Sequence, residues 1–202
     1  CARQMRKSVD IPVTVKCRTG VDDNDDYEFL KSFINIVKDS GVKTFIVHAR
    51  KGILKGLSPR QNRNIPPLNY QKVYSLKKDF PELEIIINGG IKTISETKNH
   101  LNYVDGVMLG RAAYDDPFML SHIDSEVFSD TRIEISRKDL LTEYLDYVHL
   151  MARKGYDPKV MLKHVFGLKK GEKDAKRFRV KVAEIMNSSS LVENKDELLS
   201  MV

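Results

Sequence analysis

The sequence is poor in cysteine. Among 202 residues only Cys1 and Cys17 occur, too few for a disulfide framework and without the spacing of a metal site. A reducing compartment is the expectation. Long apolar runs are missing too. Nothing approaches the roughly 18 consecutive apolar residues of a membrane span, which excludes a spanning helix and makes the cytoplasm the expected location. No secretory pattern opens the chain, because Arg3, Arg6, Lys7 and Asp10 precede any hydrophobic segment. A dinucleotide-binding fingerprint is absent as well. The chain starts at Cys1 rather than methionine, partway through a helical pattern, and it reads as part of a longer polypeptide.

What is present is regular. Residues 11–18 (IPVTVKCR) alternate and are β-branched, so they read as a strand with Pro12 at its start. Across residues 25–40, Phe29, Phe33, Ile36 and Val37 recur at helical spacing until Gly41 stops the pattern. A strand is expected over 43–50, followed by a long polar loop over 51–68 and a helix near 70–80 closed by Pro81. Strand 84–88, helix 95–102, strand 105–109 and a short helix near 112–121 follow. Four consecutive βα units with near-continuous apolar strands imply a parallel sheet covered by helices. They are half of an eightfold barrel or, alternatively, a small open sheet of flavodoxin type.

From about Asp130 only helices are expected, over 137–154, 159–168 and 173–188, with Ser188-Ser189-Ser190 as a short polar break. Leu140, Leu141, Tyr144, Val148 and Met151 fall on one side of the first. The division is therefore a partial barrel over 1–128 and a helical domain over 129–202. Charge is uneven between them. The chain carries +6 overall, yet between Met151 and Lys181 eleven cations face three carboxylates, a local +8. Such a surface favours a polyanion by counterion release.

The strand ends carry the chemistry. Lys16 ends the first strand, His48 the second, Asn88 the third and Gly110-Arg111 the fourth. In a barrel these ends ring the active site. Asn88-Gly89-Gly90 and Gly110-Arg111 close successive strands before helices, where glycine lets backbone N–H groups approach an anion and a helix N-terminus adds positive potential. The pattern suits the phosphate of a cofactor.

Four stretches carry a family likeness: IPVTVKCRTGVDD (11–23), FIVHARKGILKGLSPRQNRNIPPLNY (45–70), INGGI (87–91) and DGVMLGRAAYDDP (105–117). In these the sequence resembles the tRNA-dihydrouridine synthases, flavoproteins that reduce uridine in tRNA, and within them the A-type branch. The resemblance implies the last four βα units of an FMN-binding TIM barrel, followed by a helical tRNA-binding domain. It implies FMN as cofactor, with NADPH or NADH as reductant, and tRNA as partner; neither a membrane nor a protein partner is implied. Lys16 then matches a lysine at the flavin ring and His48 a cofactor-contacting histidine. Asn88, Gly89, Gly90, Gly110 and Arg111 match the phosphate cradle. Arg60 and Arg63 match a tRNA-contacting pair, with Lys176 and Arg179 as their counterparts in the helical domain.

One departure stands out. The family protonates uridine with a cysteine in a Gly-Cys-Pro-Ser setting, and no such motif occurs here. Cys1 falls in the helix leading into the first strand, and Cys17 alternates away from Lys16. No catalytic residue is therefore assigned: the proton donor is expected upstream of residue 1, and the chain by itself is expected to be inactive. The alternatives are another FMN- or phosphate-binding barrel oxidoreductase, or a tRNA-binding module without chemistry.

Overall fold

The computed structural model describes residues 1–129, 135–187 and 195–202, which divide into two compact units, Cys1–Gly110 and Arg111–Val202. In the first unit, helix α1 (Ala2–Ser8) precedes four strands: β1 (Val15–Arg18), β2 (Thr44–His48), β3 (Glu84–Asn88) and β4 (Gly106–Met108). All pair in parallel, in the order of the chain. That sequential order is the barrel arrangement and rules out the flavodoxin alternative, whose first two strands exchange places. Strand β1 is shorter than expected because its ladder begins at the pair Val15–Phe45, leaving Ile11 exposed and Pro12, which has no N–H to give, outside the sheet.

The crossovers are helices α2 (Tyr27–Lys38), α4 (Tyr70–Asp79) and α5 (Ile94–Leu101), with one-turn α3 (Pro59–Asn62) inside the second connection. Each starts with a side-chain cap: Asp26, Asn69, Thr93 and Ser58 accept from Phe29, Lys72, Glu96 and Gln61 N–H groups respectively. On one sheet face Phe45, Val47, Ile85 and Ile87 are fully buried, clustered with Leu30, Ile34, Val73 and Leu76 of the helices. Burial of each such side chain contributes about 1.5–3 kcal/mol. Of the four apolar positions read in helix α2, only Val37 packs against this core. Leu30 and Ile34 face the sheet, whereas Phe29, Phe33 and Ile36 are 41%, 39% and 71% exposed. The helix carries two adjacent apolar stripes, and periodicity alone does not say which one meets the strands.

Asp105 ties the sheet end to α4. Its carboxylate accepts from the Ile85 N–H at 2.8 Å and pairs with Lys77 at 2.8 Å. Burial pushes its pKa up, but these partners outweigh burial and hold it below the ordinary carboxylate value.

The second unit contains α6 (Arg111–Asp115), a 3-10 turn (Pro117–His122), α7 (Ile123–Val127), α8 (Arg137–Arg153), α9 (Pro158–Leu162), α10 (Ala175–Asn187) and α11 (Lys195–Leu199). Its core joins Leu141, Leu145 and Val148 of α8 to Leu162, Val165, Leu168, Phe178, Val182 and Ile185. The compact units divide after Gly110 rather than near residue 128. Phe118 is buried in this second core, with the Arg137 guanidinium 3.9 Å from its ring centroid, and Tyr114 meets His164 edge-on at 5.7 Å. The segment after Gly110 therefore packs with the helices. Pro117, unable to donate an N–H, breaks the single short helix expected at 112–121 into two pieces, α6 and the 3-10 turn. The Asp130 transition and the Ser188-Ser189-Ser190 break lie outside the described residues.

Candidate functional site

Parallel register places side chains on common faces, because partners across a ladder point the same way. Arg18, His48, Asn88 and Met108 are successive partners across the four strands, with Lys16, Ile46, Ile86 and Gly106 one pleat below. This is the face opposite the helix-covered core. Lys16, His48 and Asn88 thus share one surface; His48 and Asn88 end their strands, whereas β1 ends at Arg18 and Lys16, expected there, lies two residues before it. Lys16 Nζ reaches up the pleat and donates to Asn88 Oδ1 at 3.1 Å. The amide nitrogen of Asn88 donates to the Met108 carbonyl at 2.7 Å, which fixes its orientation. Burial lowers the Lys16 pKa from the ordinary lysine value; Cys17 raises it and Arg18 lowers it by smaller amounts.

A groove of about 960 Å³ opens over this surface. Lys16, Arg18, His48, Asn88 and Arg63 line it with polar groups, and Phe29 and Phe33 contribute apolar area. That explains the exposed stripe of α2. An amphipathic groove with a few convergent polar groups is the usual form of a small-molecule site. Sequence reasoning missed Arg18, although its position two residues beyond Lys16 on a strand was sufficient to place it on the same face.

The glycines separate into two kinds. Gly89 and Gly90 have φ of +119° and +74°, conformations open to glycine and strained for other residues. A Cβ on Gly89 would lie 2.5 Å from His48 Cδ2, and one on Gly90 2.6 Å from Leu68 Cδ1. The chain's own packing therefore requires both. Gly110 differs: its φ is not left-handed, and a Cβ there would meet nothing within 4 Å. At the N-terminus of α5 the capping box of Thr93 and Glu96 closes on itself, with Glu96 accepting from the Lys92 and Thr93 N–H groups. The N–H groups of Lys92, Thr93 and Glu96 are thereby taken, so of these turns the glycine turn is the one left to offer its donors to a ligand anion. Arg111 opens the second unit as the first residue of α6.

The loop after β2 is built rather than loose. Arg18 Nη1 donates to the Lys51 and Asn62 carbonyls at 2.8 and 2.9 Å, Asn62 bonds Ile53 in both directions, and Arg50 donates to the Asn64 and Pro66 carbonyls. Ser58 and Gln61 form a capping box on α3. This helix carries Arg60, and Arg63 follows as its C-cap, within the groove lining. Burial, then the charges of Arg50 and Arg63, lower the pKa of Arg18, which registers how closely three guanidiniums gather. In the second unit Lys176 and Arg179 are both exposed on α10, while Phe178 between them is buried. Lys181 is partly neutralised by Glu197 at 2.7 Å.

Neither cysteine is placed as a proton donor, although Cys17 borders the groove. Cys17 packs against the helix-side core, and burial pushes its thiol up to about 11. Cys1 is exposed at the start of α1.

A chain-order parallel sheet with cations and open glycines at its C-terminal strand ends defines the class: part of a (β/α) barrel suited to a phosphorylated cofactor. The family model described as "Dihydrouridine synthase (Dus)" matches residues 1–201. The chain belongs to this family. Among its relatives, the tRNA-dihydrouridine(20/20a) synthase of Vibrio vulnificus is 44% identical over 185 residues, covering 91% of this chain and 57% of the relative. Proteins of the same name from Synechocystis sp. and Pseudomonas syringae pv. tomato are 45% and 46% identical over 179 residues, or 89% of the chain and 54% and 53% of the relatives. The chain thus spans about half the length of the curated relatives it matches.

Proposed function

We propose that this chain is the C-terminal portion of a cytoplasmic, flavin-dependent tRNA-dihydrouridine synthase acting on D-loop uridines, with FMN as cofactor and NADPH or NADH as reductant. The observation that carries the reading is the shared surface of Lys16, His48 and Asn88 over a groove of cofactor size, in a chain whose relatives bear that enzyme name. FMN fits the residues present. Gly110 has no packing reason to be glycine and leaves room for a phosphate oxygen, while the Lys16 ammonium, held by Asn88, supplies positive charge.

When bound, FMN supplies the hydride that saturates the 5,6 double bond of uridine. Lys16 and His48 would hold FMN, and the Lys16 ammonium would polarise it. Asn88, fixed at both ends of its amide, aims Lys16 and leaves it little freedom to swing away. Arg63, with Arg60 on the same helical turn, meets RNA phosphates at the groove mouth, and Lys176 and Arg179 do so on the helical unit. The proton that completes the reduction comes from neither Cys1 nor Cys17. The test is to incubate the complete purified protein, FMN and NADPH with unmodified tRNA and measure dihydrouridine by mass spectrometry. Conversion at a D-loop uridine is the expected result; flavin-loaded protein that leaves the tRNA unchanged refutes the reading.

A further inference from the structure

The Asn88-Gly89-Gly90 turn is held from behind by a residue that strand-end reasoning did not select. Tyr70 opens α4, and its hydroxyl donates to the Gly89 carbonyl at 2.8 Å. The same oxygen lies 3.2 Å from where a Gly90 Cβ would stand. Asn69, one residue earlier, is pinned by its N–H to the Ala49 carbonyl at 2.8 Å, and its side chain caps α4. Leu68 wedges against both glycines. The ring of Tyr70 is itself fixed. It stands edge-on to the buried His100 at 4.5 Å between centroids, and His100 Nδ1 is hydrogen-bonded to the Tyr74 hydroxyl at 2.7 Å.

The consequence follows from peptide geometry. A trans peptide is planar, so its carbonyl and its N–H point in opposite directions. A hydroxyl that fixes the Gly89 carbonyl therefore also fixes where the Gly90 N–H points, which is away from Tyr70. Two consecutive glycines at positive φ are otherwise free to flip that peptide, because neither has a Cβ to resist it. We propose that Tyr70 is a positioning residue: its hydroxyl locks the Gly89–Gly90 peptide so that the Gly90 N–H is presented to an anionic oxygen at the strand ends. The inference rests on the phosphorylated-cofactor reading and names the device that preorganises its anion subsite.

The test compares FMN with riboflavin, which differs only in lacking the phosphate, on the complete apoprotein. The wild type is expected to prefer FMN, and Tyr70→Phe, which keeps the ring and its packing, to reduce that preference about three- to tenfold, as loss of one directing hydrogen bond allows. Riboflavin affinity is expected to be unchanged, an outcome that general loosening of the fold would not give. A Tyr70→Phe protein that keeps the full preference overturns the inference and leaves the cofactor reading standing. A wild type that binds both flavins equally removes the phosphate site itself.

Discussion

Replacing Gly89 and Gly110 by alanine one at a time separates a glycine that the chain needs from one that a ligand needs. At Gly89 the new methyl would sit 2.5 Å from His48 Cδ2, 3.0 Å from Nε2 and 3.2 Å from Leu68 Cδ2, on a backbone at φ +119°. The backbone strain amounts to about 1–3 kcal/mol, and displacing the His48 ring and Leu68 adds about 1–3 kcal/mol more. Domains of this size lose roughly 2–4 °C of Tm for each kcal/mol, so a fall on the order of 10 °C is expected in flavin-free protein. At Gly110 the methyl meets nothing within 4 Å, and the stability change should stay within about 0.5 kcal/mol. Flavin binding should separate from stability at Gly110, where alanine lowers FMN affinity while leaving the fold intact. Thermal denaturation followed by circular dichroism, with FMN titration of each variant, reads both quantities. A Gly110→Ala protein that binds FMN like the wild type, or a Gly89→Ala protein of undiminished stability, would refute the division.

Acid should weaken the first unit in a way traceable to His100. Burial lowers its pKa below the ordinary 6.5, with Glu96 opposing, so the folded state binds fewer protons than the unfolded one. Its contribution is then complete above pH 6.5 and is lost as pH falls toward the folded value; His100→Gln should flatten that part of the stability profile, and an unaltered slope between pH 7 and 5 rejects the assignment. On the helical unit, Lys176→Ala with Arg179→Ala should weaken tRNA binding and reduce the salt slope by about one to two units, with FMN content unchanged; filter binding across a salt series decides it. Arg60→Ala with Arg63→Ala should also lower the single-turnover reduction rate at saturating tRNA, because their loop borders the groove and positions the reacting base. A rate equal to wild type there would reduce both arginines to tethers.

The strands and the face their residues share were legible because each signal was local. Strand 84–88 matches its expected bounds, and the alternation that sets Cys17 against Lys16 needs only the pleat. Three features were less legible. Which apolar positions of α2 meet the sheet was not legible, because two apolar stripes adjoin and only the sheet decides that Leu30 and Ile34 face it. The boundary after Gly110 depends on Phe118 finding the helical core, a contact between segments far apart in sequence. The third is Tyr70. Its hydroxyl meets a glycine carbonyl nineteen residues away, and no periodicity announces such a pairing.

The stretch from Ile65 to Tyr70 shows how a family likeness and a physical reason can coincide. As sequence, IPPLNY was informative only by resemblance. In the fold, the carbonyl of Pro66 takes a guanidinium bond from Arg50, and Leu68 and Tyr70 close on the two glycines from behind. Arg50 lies two residues beyond His48, the last residue of β2, and His48 packs against Gly89. The second strand, its long connection and the third strand's glycine turn are therefore one mechanical unit. A change at Leu68 would act on Gly90, and one at Arg50 on the position of Tyr70. That coupling explains why the long connection is rigidly bonded although it lies outside the sheet: it sets the direction of a single peptide at the site.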